Sequence, residues 1–386
     1  MINRQLSQKI QEIRGKFPIV TVIGPRQSGK TTLLKAEFPD LPYVTLEDVD
    51  IRLIARSDPR GFLKNYPNGV FLDEVQNVPE LFSYIQGIVD AQNVPFVLSG
   101  SQNFTLMENI TQSLAGRTIV LKLLPLSKAE LDIAAIRFET AEEYIFTGMY
   151  PRIYDRNIAA GDFYGSYLTT YVEKDVRQIK NVGDLSAFTA FLKLCAGRIG
   201  QVLNIHSLAI DAGISANTAK SWLSVLEASF ILYLLPPYHQ NFNKRIIKSP
   251  KLYFTDTGLA CRLLELENFQ QLNSHFLRGG LFENFIVNEF VKARFNSGRG
   301  MNLYYWQAKN GKEIDLMVES GGRVHSFEIK SSKTFSTLFF ENLAYWKAVS
   351  GDSESKMNVI FGGETSLSVS NGSFVSWRDL SMILNY

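Results

Sequence analysis

Between positions 24 and 32 the chain reads Gly24, Pro25, Arg26, Gln27, Ser28, Gly29, Lys30, Thr31, Thr32, a match to G-x-x-x-x-G-K-[ST] without a mismatch. Glycines let the backbone turn its N–H groups around a phosphate, the lysine adds positive charge, and the hydroxyl beside it reaches a divalent cation. The run follows β-branched residues 19–23 and precedes a helix-compatible stretch, 31–37, whose positive end faces the same anion. The nine residues are read as a phosphate cradle, with ATP as the expected ligand and Mg²⁺ as its counter-ion on Thr31. A glycine turn that binds nothing is the alternative.

A carboxylate for the metal follows at Gly69-Val-Phe-Leu-Asp73-Glu74, an apolar strand ending in two acids. Open α/β sheets bind ligands at this end of their strands. Asp73 is expected to hold Mg²⁺ through water, and Glu74 to orient and activate the attacking water as the catalytic base. Ser99 and Ser101 close another apolar stretch, where they either hydrogen-bond the γ-phosphate or the water, or simply form a turn. Arg117 is either a finger toward another subunit's nucleotide or the partner of an acid.

A second group of acids lies near the other end. Glu283 falls on a predicted helix over 281–293, Asp315 in a strand over 313–318, and Glu328 and Lys330 in a strand over 324–330. Alternation puts Glu328 and Lys330 on one face. An acid, a glycine turn and then Glu-x-Lys resembles the PD-(D/E)xK nuclease core, which implies a metal-dependent attack on a phosphodiester. The alternative is the same fold used for binding or dimerisation.

Positioning these groups requires alternating strands and helices. Strands are expected at 19–23, 42–46, 69–72, 96–98 and 118–124 with helical stretches between them, giving a parallel sheet covered on both faces. The strand at 42–46 suggests an extra strand inserted between the phosphate-loop strand and the acidic one, the order of ATPases that carry a catalytic glutamate. Ser127-Lys-Ala-Glu130 supplies a capping box opening a helical lid, which includes an aromatic-rich stretch over 164–176.

Residues 205–226 carry the apolar spacing and glycine turn of a helix-turn-helix, but only Asn217 and Lys220 as base-reading side chains. Lys244, Arg245, Lys248 and Lys251 form an acid-free stretch that would be a basic wing toward phosphates, or else a solvated hairpin or interdomain contact. The fold class is thus α/β: a P-loop parallel sheet over 1–127, a helical lid over 128–180, a winged-helix-like module over 181–250 and an α/β restriction-endonuclease-like region over 251–386.

The phosphate loop, Leu72-Asp-Glu-Val-Gln76, Leu98-Ser-Gly-Ser101, Ala115-Gly-Arg117, Pro125-Leu-Ser127, Tyr171-Val-Glu-Lys-Asp175, Lys251-Leu-Tyr-Phe-Thr-Asp256-Thr-Gly-Leu259 and Gly280-Leu-Phe-Glu283 together resemble the AAA-type ATPases of bacteria and archaea that carry an uncharacterised C-terminal domain. The resemblance spans nearly the whole chain and implies ATP binding and hydrolysis. One departure is Gly148-Met-Tyr-Pro151, where that family has paired glycines.

Composition narrows the classes. Hydrophobic residues make up 45% and charged residues 20% of 386, which excludes disordered and fibrous chains. Forty basic residues against thirty-eight acidic ones provide no global field toward nucleic acid, so any nucleic-acid contact must be a local patch. Cys195 and Cys261 form no CxxC pair and the four histidines are scattered, so neither a disulfide framework nor a zinc site is expected. The apolar runs fall short of the roughly 20 residues that cross a bilayer, and the first residues lack a signal-peptide core. A cytoplasmic protein without membrane partners is expected. Two functions fit: an ATPase gating action on nucleic acid through a nuclease-like region, with a homo-oligomer as a further partner, or a nucleotide-dependent switch that binds a protein.

Overall fold

The computed structural model describes residues 2–101, 113–172, 184–238, 249–308, 310–351 and 356–385. Five short strands run parallel: β1 (Ile19–Ile23), β2 (Tyr43–Thr45), β3 (Val70–Asp73), β4 (Phe96–Gly100) and β5 (Thr118–Lys122). Their spatial order is β2-β3-β4-β1-β5. A strand does separate the phosphate-loop strand from the acidic one, but it is β4. The expectation that the strand at 42–46 fills this place is corrected: β2 lies at the sheet edge. Burial accounts for the arrangement, since all five residues of β4 are buried whereas β2 exposes Tyr43 and half-buries Thr45.

Side chains alternate between two cores, as the pleat requires. Val20, Val22, Phe71 and Val97 pack with α1 (Leu6–Ile13) and α2 (Lys30–Glu37) on one face, while Ile19, Ile23, Leu72, Phe96 and Leu98 join the larger core on the other. Three more helices cross between strands: α3 (Val49–Ser57), α4 (Pro59–Lys64) and α5 (Leu81–Gln92), the first capped by Asp48 and the second by Asp58.

After the sheet, Ser127 and Glu130 form a reciprocal capping box on the helix Lys128–Ile133. Helices Ala141–Thr147, Pro151–Asp155 and Ala160–Tyr167 follow, the last continuing as a wider turn over Leu168–Val172. The remainder of the aromatic stretch, 173–176, lies outside the described residues. Gly148 takes φ +70°, and a Cβ there would lie 1.8 Å from the Tyr164 hydroxyl and 2.5 Å from Asp256 Oδ1. The next amide, Met149 N–H, donates to Asp256 Oδ2 at 2.7 Å. The single glycine therefore makes a turn that a second one is not needed for.

Helices Leu185–Ala196, Ile205–Asp211 and Ala216–Ala228 lead into an antiparallel pair, β6 (Leu232–Leu235) and β7 (Lys251–Phe254). The pair joins the strands on either side of position 250. Of the basic stretch, Lys244, Arg245 and Lys248 lie outside the described residues.

The last third packs the 19-residue helix Arg278–Asn296 against a six-stranded mixed sheet. Its strands are β8 (Leu303–Gln307), β9 (Glu313–Ser320), β10 (Arg323–Lys330), β11 (Asn358–Phe361), β12 (Leu367–Val369) and β13 (Gly372–Ser376), in the order β12-β13-β11-β10-β9-β8. Gly321 and Gly322, at φ +58° and +76°, form the two-residue turn between β9 and β10. The thirds are joined through buried polar contacts: Lys128 N–H donates to Glu289 Oε2 at 2.8 Å, and Glu289 pairs with Lys292 at 2.9 Å. Among the described residues, no helix is long and apolar enough to cross a membrane.

Candidate functional site

The loop between β1 and α2 owes its shape to two glycines. A Cβ on Gly24 would lie 2.0 Å from the Leu123 carbonyl oxygen, and Gly29 adopts φ +93° at the start of α2. No side chain caps α2, so its first N–H groups remain directed at the loop. Lys30 is buried, and its Nζ donates to the carbonyls of Gly24 (3.0 Å) and Pro25 (2.8 Å). Burial lowers its pKa, opposed by the charges of Glu74 and Asp73. The Ser28 hydroxyl oxygen is buried without a hydrogen-bond partner among the described residues.

Thr31 Oγ1 donates to Asp73 Oδ2 at 2.7 Å. The same carboxylate accepts from the Tyr43 hydroxyl at 3.1 Å, from the Glu74 amide at 3.1 Å and, through Oδ1, from Ser99 Oγ. Next to it, Glu74 sits in the left-handed region at φ +54°, a conformation that costs a non-glycine residue energy and recurs at functional sites. Its Oε2 accepts from Ser101 Oγ at 2.9 Å and from the Gln76 amide. The two serines at the end of β4 thus each hold one of the two acids.

Lys30, Thr31, Tyr43, Asp73 and Glu74 open onto a cavity of about 930 Å³ that is also lined by Arg26, Thr32, Glu47, Arg152 and Arg156. Of these, Arg26 pairs with Glu47 at 3.1 Å. Nucleotide-sized ligands fit such a volume. Thr31 and Asp73 supply a hydroxyl and a carboxylate, the hard oxygen donors that Mg²⁺ takes alongside phosphates and waters, and the Ser28 hydroxyl is a further polar group without a partner among the described residues. The residues fit a Mg²⁺-nucleotide.

Several of these residues carried no local signal. Tyr43, Arg152 and Arg156 reach the site only through the fold. Arg4 is buried beneath the loop, donating to the Ser28 carbonyl (2.5 Å), the Leu124 carbonyl (2.7 Å) and Glu130 Oε1 (3.1 Å). Arg117 is not at this cavity; its Nε and Nη2 donate to Asp90 at 2.5 and 2.8 Å, and its Nη1 to the Ala115 carbonyl at 3.1 Å.

The C-terminal acids do approach one another, but around ammonium groups. Lys251, only 2% exposed, lies 2.8 Å from Glu283, 2.5 Å from Glu313 and 3.8 Å from Asp315. Of the two readings of its stretch, Lys251 fits an interdomain contact and not a basic wing: it is buried among acids. Burial pulls its pKa down, but Glu283, Asp315 and Glu313 outweigh this and the pKa is raised. Lys330 lies 2.6 Å from Glu328 and 3.5 Å from Asp315. Burial pushes Glu283 and Glu328 up to about 7, against the neighbouring Lys251 and Lys330 respectively. Glu283 also accepts from the Tyr253 hydroxyl at 2.5 Å, and Asp315 from the Ile329 amide at 2.7 Å. Among the described residues, no group of three or more acids, histidines or cysteines is arranged to hold a metal.

Residues 16–131 match the family model described as an AAA domain, residues 138–270 a domain of unknown function (DUF8612), and residues 278–380 another (DUF4143). An uncharacterized protein of Mycobacterium tuberculosis is 28% identical over 337 residues, covering 86% of this chain and 74% of the relative. One of Methanocaldococcus jannaschii is 23% identical over 350 residues, covering 82% and 75%. Among solved structures, the Walker-type ATPase PABY2304 of Pyrococcus abyssi aligns with a TM-score of 0.48 at 14% identity, covering 68% of this chain and 96% of that one. The N-terminal third is an α/β unit with a five-stranded parallel sheet, and its sequence is similar to an AAA-type ATPase domain.

Proposed function

We propose that this chain binds ATP with Mg²⁺ between α2 and the ends of β3 and β4, and hydrolyses it. The observation that carries this reading is the convergence of Lys30, Thr31, Asp73 and Glu74 on one cavity. The loop amides and Lys30 hold the phosphates, and Thr31 with Asp73 would hold Mg²⁺, which would neutralise charge on the transferred phosphoryl group. Glu74, anchored by Ser101, orients a water and accepts its proton. Arg152 and Arg156, on and just after the helix Pro151–Asp155, face the same space from the lid side. Arg117, outside its own chain's cavity, would serve as a finger only toward another copy. Phosphate release from Mg²⁺-ATP tests the reading: wild type turns over, and Glu74→Gln binds nucleotide without turnover. Wild-type protein with no turnover would remove it.

For the rest of the chain, a nucleotide-dependent switch with a non-cleaving C-terminal region is favoured over a nuclease by the way Lys251 and Lys330 occupy the acids. In this reading the middle module, winged-helix-like in its three helices and β6–β7 pair, and the restriction-endonuclease-like C-terminal sheet present a binding surface. A binding series in rising salt separates its partners, because contacts to nucleic-acid phosphates weaken steeply with salt.

A further inference from the structure

A carboxylate cluster at the junction of a sheet and a long helix is where a metal-dependent nuclease would be sought, and the residue types here suit one. The geometry does not. Glu283 enters from the helix Arg278–Asn296, Glu313 and Asp315 from β9, and Glu328 from β10. The space at which three of them meet is taken by the Lys251 ammonium, at 2.8, 2.5 and 3.8 Å from Glu283, Glu313 and Asp315. The fourth acid is held by Lys330 at 2.6 Å and by the Asn342 amide at 3.1 Å. One oxygen, Glu328 Oε2, is buried without a partner among the described residues. A single oxygen is a small part of the near-octahedral shell that Mg²⁺ demands.

We propose that the Lys251 side chain is the resident cation of this cluster, standing where a divalent metal would stand and making the C-terminal region a metal-independent structural joint. Three further observations agree. Lys251 reaches the acids from β7, a strand whose own partners are β6 and Val202, so the ammonium ties the preceding module to the C-terminal sheet. Its position is fixed from both sides: the backbone by those pairings, and the ammonium against the face of Tyr305, 5.6 Å from the ring centre. Tyr253, two residues along the same strand and therefore on the same face, donates to Glu283 Oε1 at 2.5 Å and completes the enclosure. A residue buried to this degree is not a surface cation that a metal displaces at low cost, because uncovering one partner of a buried pair leaves an uncompensated charge.

The proposal does not rest on the ATPase reading, and its test uses neither nucleotide nor turnover. Full-length protein is titrated with Mn²⁺ without nucleotide, and bound metal is counted by electron paramagnetic resonance in wild type, Asp315→Asn, Lys251→Ala and the double variant. The expected result is that wild type and Asp315→Asn bind the same amount, whereas Lys251→Ala gains a Mn²⁺ site that Asp315→Asn removes. A wild-type site lost in Asp315→Asn would overturn the proposal, as would a folded Lys251→Ala protein with wild-type melting temperature and no new site. Should Lys251→Ala fold poorly, Mn²⁺ is expected to raise its melting temperature and leave that of wild type unchanged. Equal shifts in both would contradict it. The wild-type comparison stands whichever way that variant folds.

Discussion

Ser101 Oγ donates to Glu74 Oε2 at 2.9 Å, linking the residue after β4 to the residue after β3. Two neighbouring strands of a parallel sheet therefore hold one carboxylate in a backbone conformation that it would not choose alone. The Gln76 amide reaches the same oxygen. On the proposed reading, Glu74 is thus held in place before nucleotide arrives.

Removing the carboxylate and removing its anchor have separable effects. Glu74→Gln is expected to lower kcat by about 10²–10⁴-fold with nucleotide affinity retained, the usual contribution of a positioned general base. Ser101→Ala is expected to lower kcat less and to leave KM unchanged, since it touches the base and not the phosphates. Steady-state kinetics on both variants check this, and a Ser101→Ala protein altered only in KM would contradict it.

Arg4 supports the loop from below. Arg4→Ala removes three hydrogen bonds and leaves Glu130 buried with less compensation, which is expected to cost about 3–5 kcal/mol of stability, the range for breaking a buried pair. Thermal and denaturant unfolding measure it. Because Glu130 accepts through both oxygens, from the Gln5 and Ser127 amides as well as from Arg4, Glu130→Gln sets an NH₂ donor against an N–H donor and is expected to cost at least as much as Arg4→Ala. A Glu130→Gln protein clearly more stable than Arg4→Ala would contradict it.

Arg117 is engaged by Asp90 within its own chain. A finger acting on another copy must leave that partner, so Asp90→Asn is expected to raise activity at protein concentrations where copies associate. Mixing Arg117→Ala with Lys30→Ala subunits is expected to restore partial turnover at sites that combine intact halves. Turnover per chain that is independent of concentration, with no restoration on mixing, would leave Arg117 as an ion-pair residue.

The order of elements was more legible than their neighbours. Asp73 and Glu74 stand out because two acids ending an apolar run, common in isolation, gain meaning beside a phosphate loop, and Ser127 with Glu130 because a cap is a local pattern; the structure contains both. Sheet order is not local. The half-exposed, three-residue character of β2 is the mark of an edge strand, and the fully buried β4 that of a central one, a distinction that apolar content alone blurred. Arg4 and Glu130 are 126 positions apart, and nothing in the sequence around an isolated arginine announces such a pairing. Lys251 misled because its charged neighbours in sequence, 244, 245 and 248, suggested a solvated basic stretch, whereas its neighbours in space are Glu283, Glu313 and Asp315. Strand β8, the helix Glu341–Ser350 and β11 to β13 carry no chemical motif that would place them one by one within a strand-rich region.

The central claim is that the loop around Lys30 holds a Mg²⁺-nucleotide. Isothermal titration of full-length protein with ATP in Mg²⁺ tests it most directly, alongside the same titration of Lys30→Ala. The account predicts one nucleotide per chain for wild type, and an affinity weakened roughly tenfold to a hundredfold in Lys30→Ala, as loss of a charge-assisted hydrogen bond implies. Absence of binding by folded wild type, or equal affinity in Lys30→Ala, would contradict it.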